Sequence, residues 1–394
     1  MLGEVRFFCN FGSEPEDCTP GYRAMQLERT GMYCMNFLFL NSAGRGWGGN
    51  EKWTKLAAES LSGKHRAILA YRDPRIGDRF CIEKVRLPFL MELDPITISG
   101  LVRIIRREKV DVVIPTKRKD YVLAGIACRI TGAANILRLG IDRPLQDTAI
   151  QKLVYGLFAD GIVVNAARIR ETLSRTPWLD TSKIRVIYNG IDRKALDQGS
   201  KAPYSRSFGF MIAAAGALIP RKGFDFLLRS FARFIETCTE STGAGLVIAG
   251  EGPERESLER LASKLGITDK VHFAGNLDNP YPMLLACDLF VSSSTSEGIA
   301  NALLESMALG SVPVSTFSGG ADELISDGRN GFLVHYGDEA HLASIFSDLL
   351  RNPEERQRLA ANACETVTQQ FSTERMRTDL LEFCSEILTK RRAA

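Results

Sequence analysis

The sequence predicts an α/β protein of two doubly wound, Rossmann-like domains, each a parallel sheet covered by helices on both faces. Three observations predict it. Short Val- and Ile-rich runs alternate with amphipathic helical segments from Asn36 onward, the pattern of a sheet buried on both sides. The alternation pauses at a polar, turn-rich stretch, residues 195–206, and then restarts. Charge changes sign at the same place: Met35 to Gly190 carries 26 Lys and Arg against 15 Asp and Glu, whereas from Ile191 on the acids lead 27 to 21. A length of 394 residues suits two domains of ordinary size. With 45% apolar and 25% charged residues the chain is neither disordered nor fibrous, and no run reaches the ~20 apolar residues of a spanning helix. Nine Cys without C-x-x-C or Cys/His spacing point to a reduced, cytoplasmic chain rather than a disulfide scaffold or zinc site. A net charge of +3 is too mild to imply a nucleic-acid partner, and none is expected.

Residues 1–34 read as a poorly structured extension, acidic near the start and without the apolar centre of a secretory signal. The first domain is expected over 35–194. NFLFLN (36–41) is its opening strand and GGNEKWTKLAAESLSG (48–63) the helix after it. HRAILAYR (65–72), DVVIPT (111–116), ILRLG (136–140), DGIVVN (160–165) and KIRVIYN (183–189) supply further strands. TISGLVRIIRREK (97–109) and DYVLAGIACRITG (120–132) read as helices between them. Residues 195–206 are the expected linker and 207–372 the second domain. Its strands are FGFMIAAAG (208–216), GLVIAG (245–250), KVHF (270–273), DLFVSS (288–293) and VPVS (312–315). From His341 the pattern is helical, and 373–394 is expected as a closing helix that packs back on the first domain.

Three motifs carry chemistry. The loop GRGWGG, Gly44–Gly49, lies between the first strand and its helix, where backbone N–H groups and the helix N-terminus suit a phosphate. Gly44, Gly46 and Gly49 also satisfy G-x-G-x-x-G, so a nicotinamide or flavin oxidoreductase stays open as an alternative. The second motif, GALIPRKGFDFLL (216–228), sets Arg221 and Lys222 before a helix, a cation pair suited to a departing diphosphate. The third, SSSTSEGIANALLESMALG (292–310), places Glu297 in a loop after a buried strand and Glu305 inside the following helix. Spacing alone carries nothing there. The context does: roughly 10 Å of reach at ~1.5 Å per residue lets one carboxylate meet sugar hydroxyls and the other a ribose.

SEGIANALLESMALG resembles the E-x7-E signature of the retaining glycosyltransferases of family 4, which have the GT-B fold. GGNEK, KIRVIYNGID, GALIPRKG and LVIAGEGPE with KVHFAGN resemble further pieces of that family, in the same order. The resemblance implies two Rossmann-like domains facing each other across a cleft. It implies transfer of a sugar from a nucleoside diphosphate donor to a glycan or lipid-linked acceptor, with retention, in lipopolysaccharide or envelope polysaccharide synthesis. By the same resemblance Lys222, with Arg221, would hold the diphosphate and Glu297 the sugar hydroxyls. Glu305 would hold the ribose, and Gly298, Ile299, Ala300 and Asn301 would line the sugar and phosphate site. Gly48 and Gly49 would meet the diphosphate from the first domain, and residues 274–277 the base. No cofactor and no metal are expected, since no Asp-x-Asp occurs.

Three departures stand out: Ala217 where the family often has Arg, Ile299-Ala300 where many members have Phe-Pro, and His65 as the first domain's one His. A non-catalytic binder of nucleotide sugars therefore also stays open. On the acceptor side, Lys117, Arg118 and Lys119 stand at a strand's carboxyl end. With Arg103, Arg106, Arg107 and Lys109 on the preceding helix they allow two readings, an anionic acceptor with a peripheral contact at the inner face of an anionic membrane, or, for the helix, an ordinary solvated face.

Overall fold

The strands predicted from apolar runs are all present and lie in two sheets. The computed structural model describes residues 34–44 and 46–393, so the expectation for residues 1–33 lies outside the described chain. The first sheet contains β1 (Asn36–Asn41), β2 (Arg66–Tyr71), β3 (Glu83–Arg86), β4 (Val112–Pro115), β5 (Ala134–Leu139), β6 (Gly161–Val164) and β7 (Ile184–Val186), in the order β3-β2-β1-β4-β5-β6-β7. The second contains β8 (Phe210–Ala215), β9 (Ala244–Ala249), β10 (Val271–Gly275), β11 (Leu289–Ser292), β12 (Val312–Thr316) and β13 (Phe332–Val334), in the order β10-β9-β8-β11-β12-β13. β1 runs parallel to β2 from Asn36↔Arg66 to Asn41↔Tyr71, and β8 to β9 from Phe210↔Ala244 to Ala215↔Ala249. β1, β4 and β9 are buried along their whole length, as strands with helices on both faces must be.

The chain divides into two compact units. Among the described residues, one comprises those from 34 to 138 with Leu153–Gly161 and 384–393, and the other Leu139–Lys152 with Ile162–Phe383. In the first unit, α1 (Gly49–Leu61), α2 (Pro95–Arg107) and α3 (Arg118–Thr131) cover the strands. α2 buries Leu101, Ile104 and Ile105 against a core that includes Leu38, Ile68, Val113 and Leu123. Asp94 and Pro95 start α2 as N-cap and first residue, and left-handed Gly132 ends α3. In the second unit, α4 (Phe224–Thr237) presents Phe224, Leu227, Leu228, Phe231 and Phe234 to one continuous apolar core.

Two strands escape the sequence reading. β3 reads EKVR and lies partly exposed at a sheet edge, and β13 is three residues long. The expected linker begins inside a helix, Arg193–Gly199, whose first turn is capped by Asp192. The closing helix runs from Thr373 to Ala393. Its last turns group with the first unit, where Arg391 meets Asp160 at 2.5 Å and donates to the Gly132 carbonyl at 3.1 Å.

Candidate active site

The site in the second unit forms where β8 and β11 end and their helices begin. After β8 the chain turns through Gly216 and a short 3-10 turn, Pro220–Lys222, into α4. Gly223 joins the two at φ +62, and a Cβ there would sit 2.2 Å from the Ser293 carbonyl oxygen. Only glycine fits a left-handed residue against another backbone at that distance. The close approach is used: Ser293 Oγ donates to the Lys222 carbonyl at 2.9 Å, and the Thr295 N–H to the Arg221 carbonyl at 2.9 Å. The loop after β11 is thus stitched to the Arg-Lys turn.

That stitching brings Arg221, Lys222 and Glu297 together. Glu297 Oε1 lies 2.5 Å from Lys222 Nζ and 2.8 Å from the Arg221 guanidinium, and accepts from Ser294 Oγ at 3.3 Å. The Lys222 side chain is 17% exposed and that of Glu297 12%, so this is a largely desolvated triad. Burial alone would push the Glu297 carboxyl up, but Lys222 and then Arg221 outweigh it and hold it below the usual range. Arg221 also donates to the Ser296 carbonyl at 2.5 Å, and the Lys222 stem lies across Gly216. Such a cluster offers one carboxylate to hydroxyl donors and two fixed cations to an anion.

Gly298, Ile299, Ala300 and Asn301 follow at once, with Asn301 starting a helix that ends at Ala308. Glu297, Gly298, Ile299, Ala300, Ser318 and Gly320 line one narrow crevice. Asn301 accepts from Asn189 Nδ2 at 2.6 Å, while Asn165 Nδ2 and Asn189 Nδ2 both donate to the Ile299 carbonyl, at 3.2 and 3.3 Å. Gly298 packs on Asn165, whose Oδ1 would lie 2.2 Å from a Cβ there. Asn165, directly after β6, and Asn189, three residues past β7, escape the sequence reading. For Asn165 the signal, an Asn at the carboxyl end of a buried strand, is visible in DGIVVN. Glu305 lies within the helix and is buried; burial first, and Glu305 after it, push the Tyr281 hydroxyl up. Ala217 is exposed, and Gly275 closes β10 at φ +68.

The first unit holds the other expected positions. The Gly48 N–H donates to Glu51 Oε2 at 3.0 Å, and Gly49 opens α1. Lys117 is paired with the buried Glu51 at 2.6 Å, and Lys119 donates to the Phe89 carbonyl. Arg118 begins α3. His65 accepts the Met35 N–H through Nδ1 at 3.2 Å and lies edge-on to Phe37. Asp120, wholly buried, accepts the Ser42 N–H at 3.1 Å, and burial pushes its carboxyl up to about 6. Among the described residues no group of three His, Cys, Asp or Glu gathers as metal ligands would, and no helix is long and apolar enough to cross a membrane.

Comparison with known proteins places the chain beside a family of known proteins. The model of the glycosyl transferases group 1 matches residues 205–366, the segment that carries both motifs of the triad. The chain is 35% identical over 277 residues to the lipopolysaccharide core biosynthesis glycosyltransferase LpsE of Rhizobium meliloti, covering 68% of this chain and 74% of that one. It is 32% identical over 182 residues to LpsD of the same organism, with 46% and 51% covered. Among solved structures, HepE of Anabaena in complex with UDP-glucose superposes with a TM-score of 0.75 at 21% identity, over 89% of this chain and 100% of that one. The lipopolysaccharide outer core galactosyltransferase WaaB gives 0.65 at 18%, over 89% and 99%. The fold is GT-B, with one parallel-sheet α/β domain of seven strands and one of six.

Proposed function

Because the chain belongs to the group 1 glycosyl transferases, we propose that it moves a sugar from a nucleoside diphosphate donor to a glycan or lipid-linked acceptor, with retention, in lipopolysaccharide or related envelope polysaccharide synthesis. The observation that supports it most is the Arg221–Lys222–Glu297 triad at the mouth of a helix. In this reading the C1–O bond to the diphosphate breaks and its electron pair moves onto the phosphate oxygen. Lys222 and Arg221 neutralise the growing charge, with N–H groups of residues 298–300 as further donors. Glu297 orients the sugar through its hydroxyls and Glu305 the ribose. The acceptor oxygen attacks C1 from the face the phosphate leaves, and its proton passes to the departing phosphate, so no protein nucleophile or metal enters. Gly48 and Gly49 are assigned to the diphosphate by the family resemblance, and Lys117, Arg118 and Lys119 to the acceptor by their charge and their place at a strand's carboxyl end.

LpsE and LpsD carry lipopolysaccharide core names, and HepE is described with UDP-glucose. Those relatives favour an envelope acceptor and make UDP-hexoses the first donors to try. The test is a panel of UDP-, GDP- and ADP-sugars with a core oligosaccharide or polyprenyl-phosphate-linked acceptor, followed by NMR of the product anomer. Acceptor-dependent release of nucleoside diphosphate with a product of the donor's configuration is expected. Nucleotide release with inversion would remove the mechanism, and binding without turnover would favour a non-catalytic binder.

A further inference from the structure

Between β3 and the first turn of α2 the first unit holds four large apolar side chains in water: Leu90 is 58% exposed, Met91 61%, Leu93 63% and Ile96 64%. Their exposure is built, not left over. Phe89, at the base of the turn, is fully buried and takes a left-handed φ of +46, a conformation that a bulky residue holds only when its surroundings enforce it. Its N–H donates to Thr97 Oγ1 at 2.9 Å and its carbonyl accepts from Lys119 Nζ. Asp94, also buried, accepts from the Leu90 and Ile96 N–H groups at 3.0 and 3.1 Å and from Thr97 Oγ1 at 2.5 Å. The backbone of the turn is therefore fixed from both sides while its apolar side chains project outward. Clustered exposure of this kind marks an interaction surface.

The charge beside it suggests what that surface meets. Ile96, Ser99, Arg103 and Arg106 are spaced three, four and three apart and are all exposed, so they form one stripe of α2 opposite the buried Leu101, Ile104 and Ile105. At ~1.5 Å per residue the two arginines stand roughly 10 and 15 Å along the axis from Ile96. Arg107 and Lys109 add cations at the same end, and Glu108 there is already paired with Arg66 at 2.7 Å and with Arg107. Glu92 is the one acid exposed among residues 89–96. An apolar tip with cations set roughly 10–15 Å behind it matches an interface that takes apolar groups ~5–10 Å deep beneath a layer of anionic phosphates.

We propose that the 90–96 turn is a lipid-inserting tip: Leu90, Met91, Leu93 and Ile96 enter the interface of an anionic bilayer, and Arg103 and Arg106 meet its phosphates. The proposal names the membrane partner within the reading above that the acceptor is lipid-linked. It gives the tip no part in donor chemistry.

Sedimentation of the full chain with vesicles of phosphatidylglycerol and phosphatidylethanolamine, beside pure phosphatidylcholine, tests it. Wild type should bind the anionic vesicles. Leu90→Ser/Met91→Ser/Leu93→Ser should bind at least tenfold more weakly, with the thermal shift produced by UDP-glucose unchanged. Arg103→Gln/Arg106→Gln should lose most of the salt dependence. As a second measurement on a chain with an intact fold, the fluorescence of Leu93→Trp should be quenched by brominated lipid relative to wild type. Equal binding of the serine variant, or no added quenching in vesicle-bound Leu93→Trp, overturns the proposal. So does a wild type that ignores vesicles while forming a dimer that the serine variant abolishes, which would make the patch an interface between copies. Vesicle binding without sugar transfer would leave the tip standing and remove the glycosyltransferase reading. Transfer to a detergent-solubilised acceptor without vesicle binding would do the reverse.

Discussion

Lys222→Ala separates two roles that the triad allows, and its size follows from the geometry. The ammonium lies 2.5 Å from a Glu297 oxygen that also has Arg221 at 2.8 Å and Ser294 at 3.3 Å. Removing one partner of a buried ion pair typically costs about 3–5 kcal/mol when the remaining charge is left alone. Here Arg221 stays, so the folding loss should be about 1–2 kcal/mol. The loss in turnover should be larger. One preorganised charge donor at a departing group contributes ~2.7–4 kcal/mol, or about 10²–10³-fold in kcat. The assay is nucleoside diphosphate release on Lys222→Ala, Glu297→Gln and the double variant, with urea denaturation alongside. If Lys222 acts on the diphosphate, the double variant should fall a further ~10²-fold below Glu297→Gln. If Lys222 merely neutralises Glu297, the double variant will equal Glu297→Gln, and the diphosphate role is refuted. Acid stability gives an independent check. The Glu297 pKa is depressed in the folded chain, so its contribution is present above the unfolded pKa and lost as pH falls through the folded one. In Lys222→Ala burial is opposed by Arg221 alone, so the folded pKa is less depressed and that loss should be smaller and complete at a higher pH.

Two further perturbations follow from the glycine beside the triad and the buried acid of the first unit. Gly223→Ala sets a Cβ in a left-handed residue 2.2 Å from the Ser293 carbonyl oxygen and should cost about 2–3 kcal/mol, lowering Tm by roughly 5–10 °C and displacing Lys222. Gly243→Ala, with nothing within 4 Å of its Cβ, should change neither Tm nor turnover in the same thermal scan. Asp120 has a folded pKa of about 6, raised by burial above its unfolded value, so its contribution is complete below about pH 4 and lost as pH rises through about 6. Urea unfolding at about pH 4.5, low in that window, and at about pH 8, above it, should show Asp120→Asn lacking the decline and gaining about 2 kcal/mol on wild type between the two. Parallel profiles would refute the assignment.

What is legible in the sequence divides by the range of the interactions involved. β1, β4 and β9 are readable because helices cover both their faces, which forces an unbroken apolar run. β3, half-exposed at an edge, has charged residues at three of its four positions and reads locally as loop. The helix at Arg193–Gly199 buries little beyond Leu196, so no apolar stripe announces it. The site follows the same rule. Arg221, Lys222 and Glu297 are legible because residue type and a short motif identify them, whereas the residues that hold the loop after Glu297 in place are not. Asn165 reaches the Ile299 carbonyl across 134 positions and Asn189 reaches Asn301 across 112, distances over which spacing carries no signal. Lys117 makes the point in the other direction. In the run Lys117-Arg118-Lys119 it reads as a cation offered to an anionic acceptor, yet Glu51, 66 positions earlier, holds it at 2.6 Å. A carboxylate that is 4% exposed needs such a partner, so the sheet topology that brings α1 beside the start of α3 settles where this charge goes, and local composition does not.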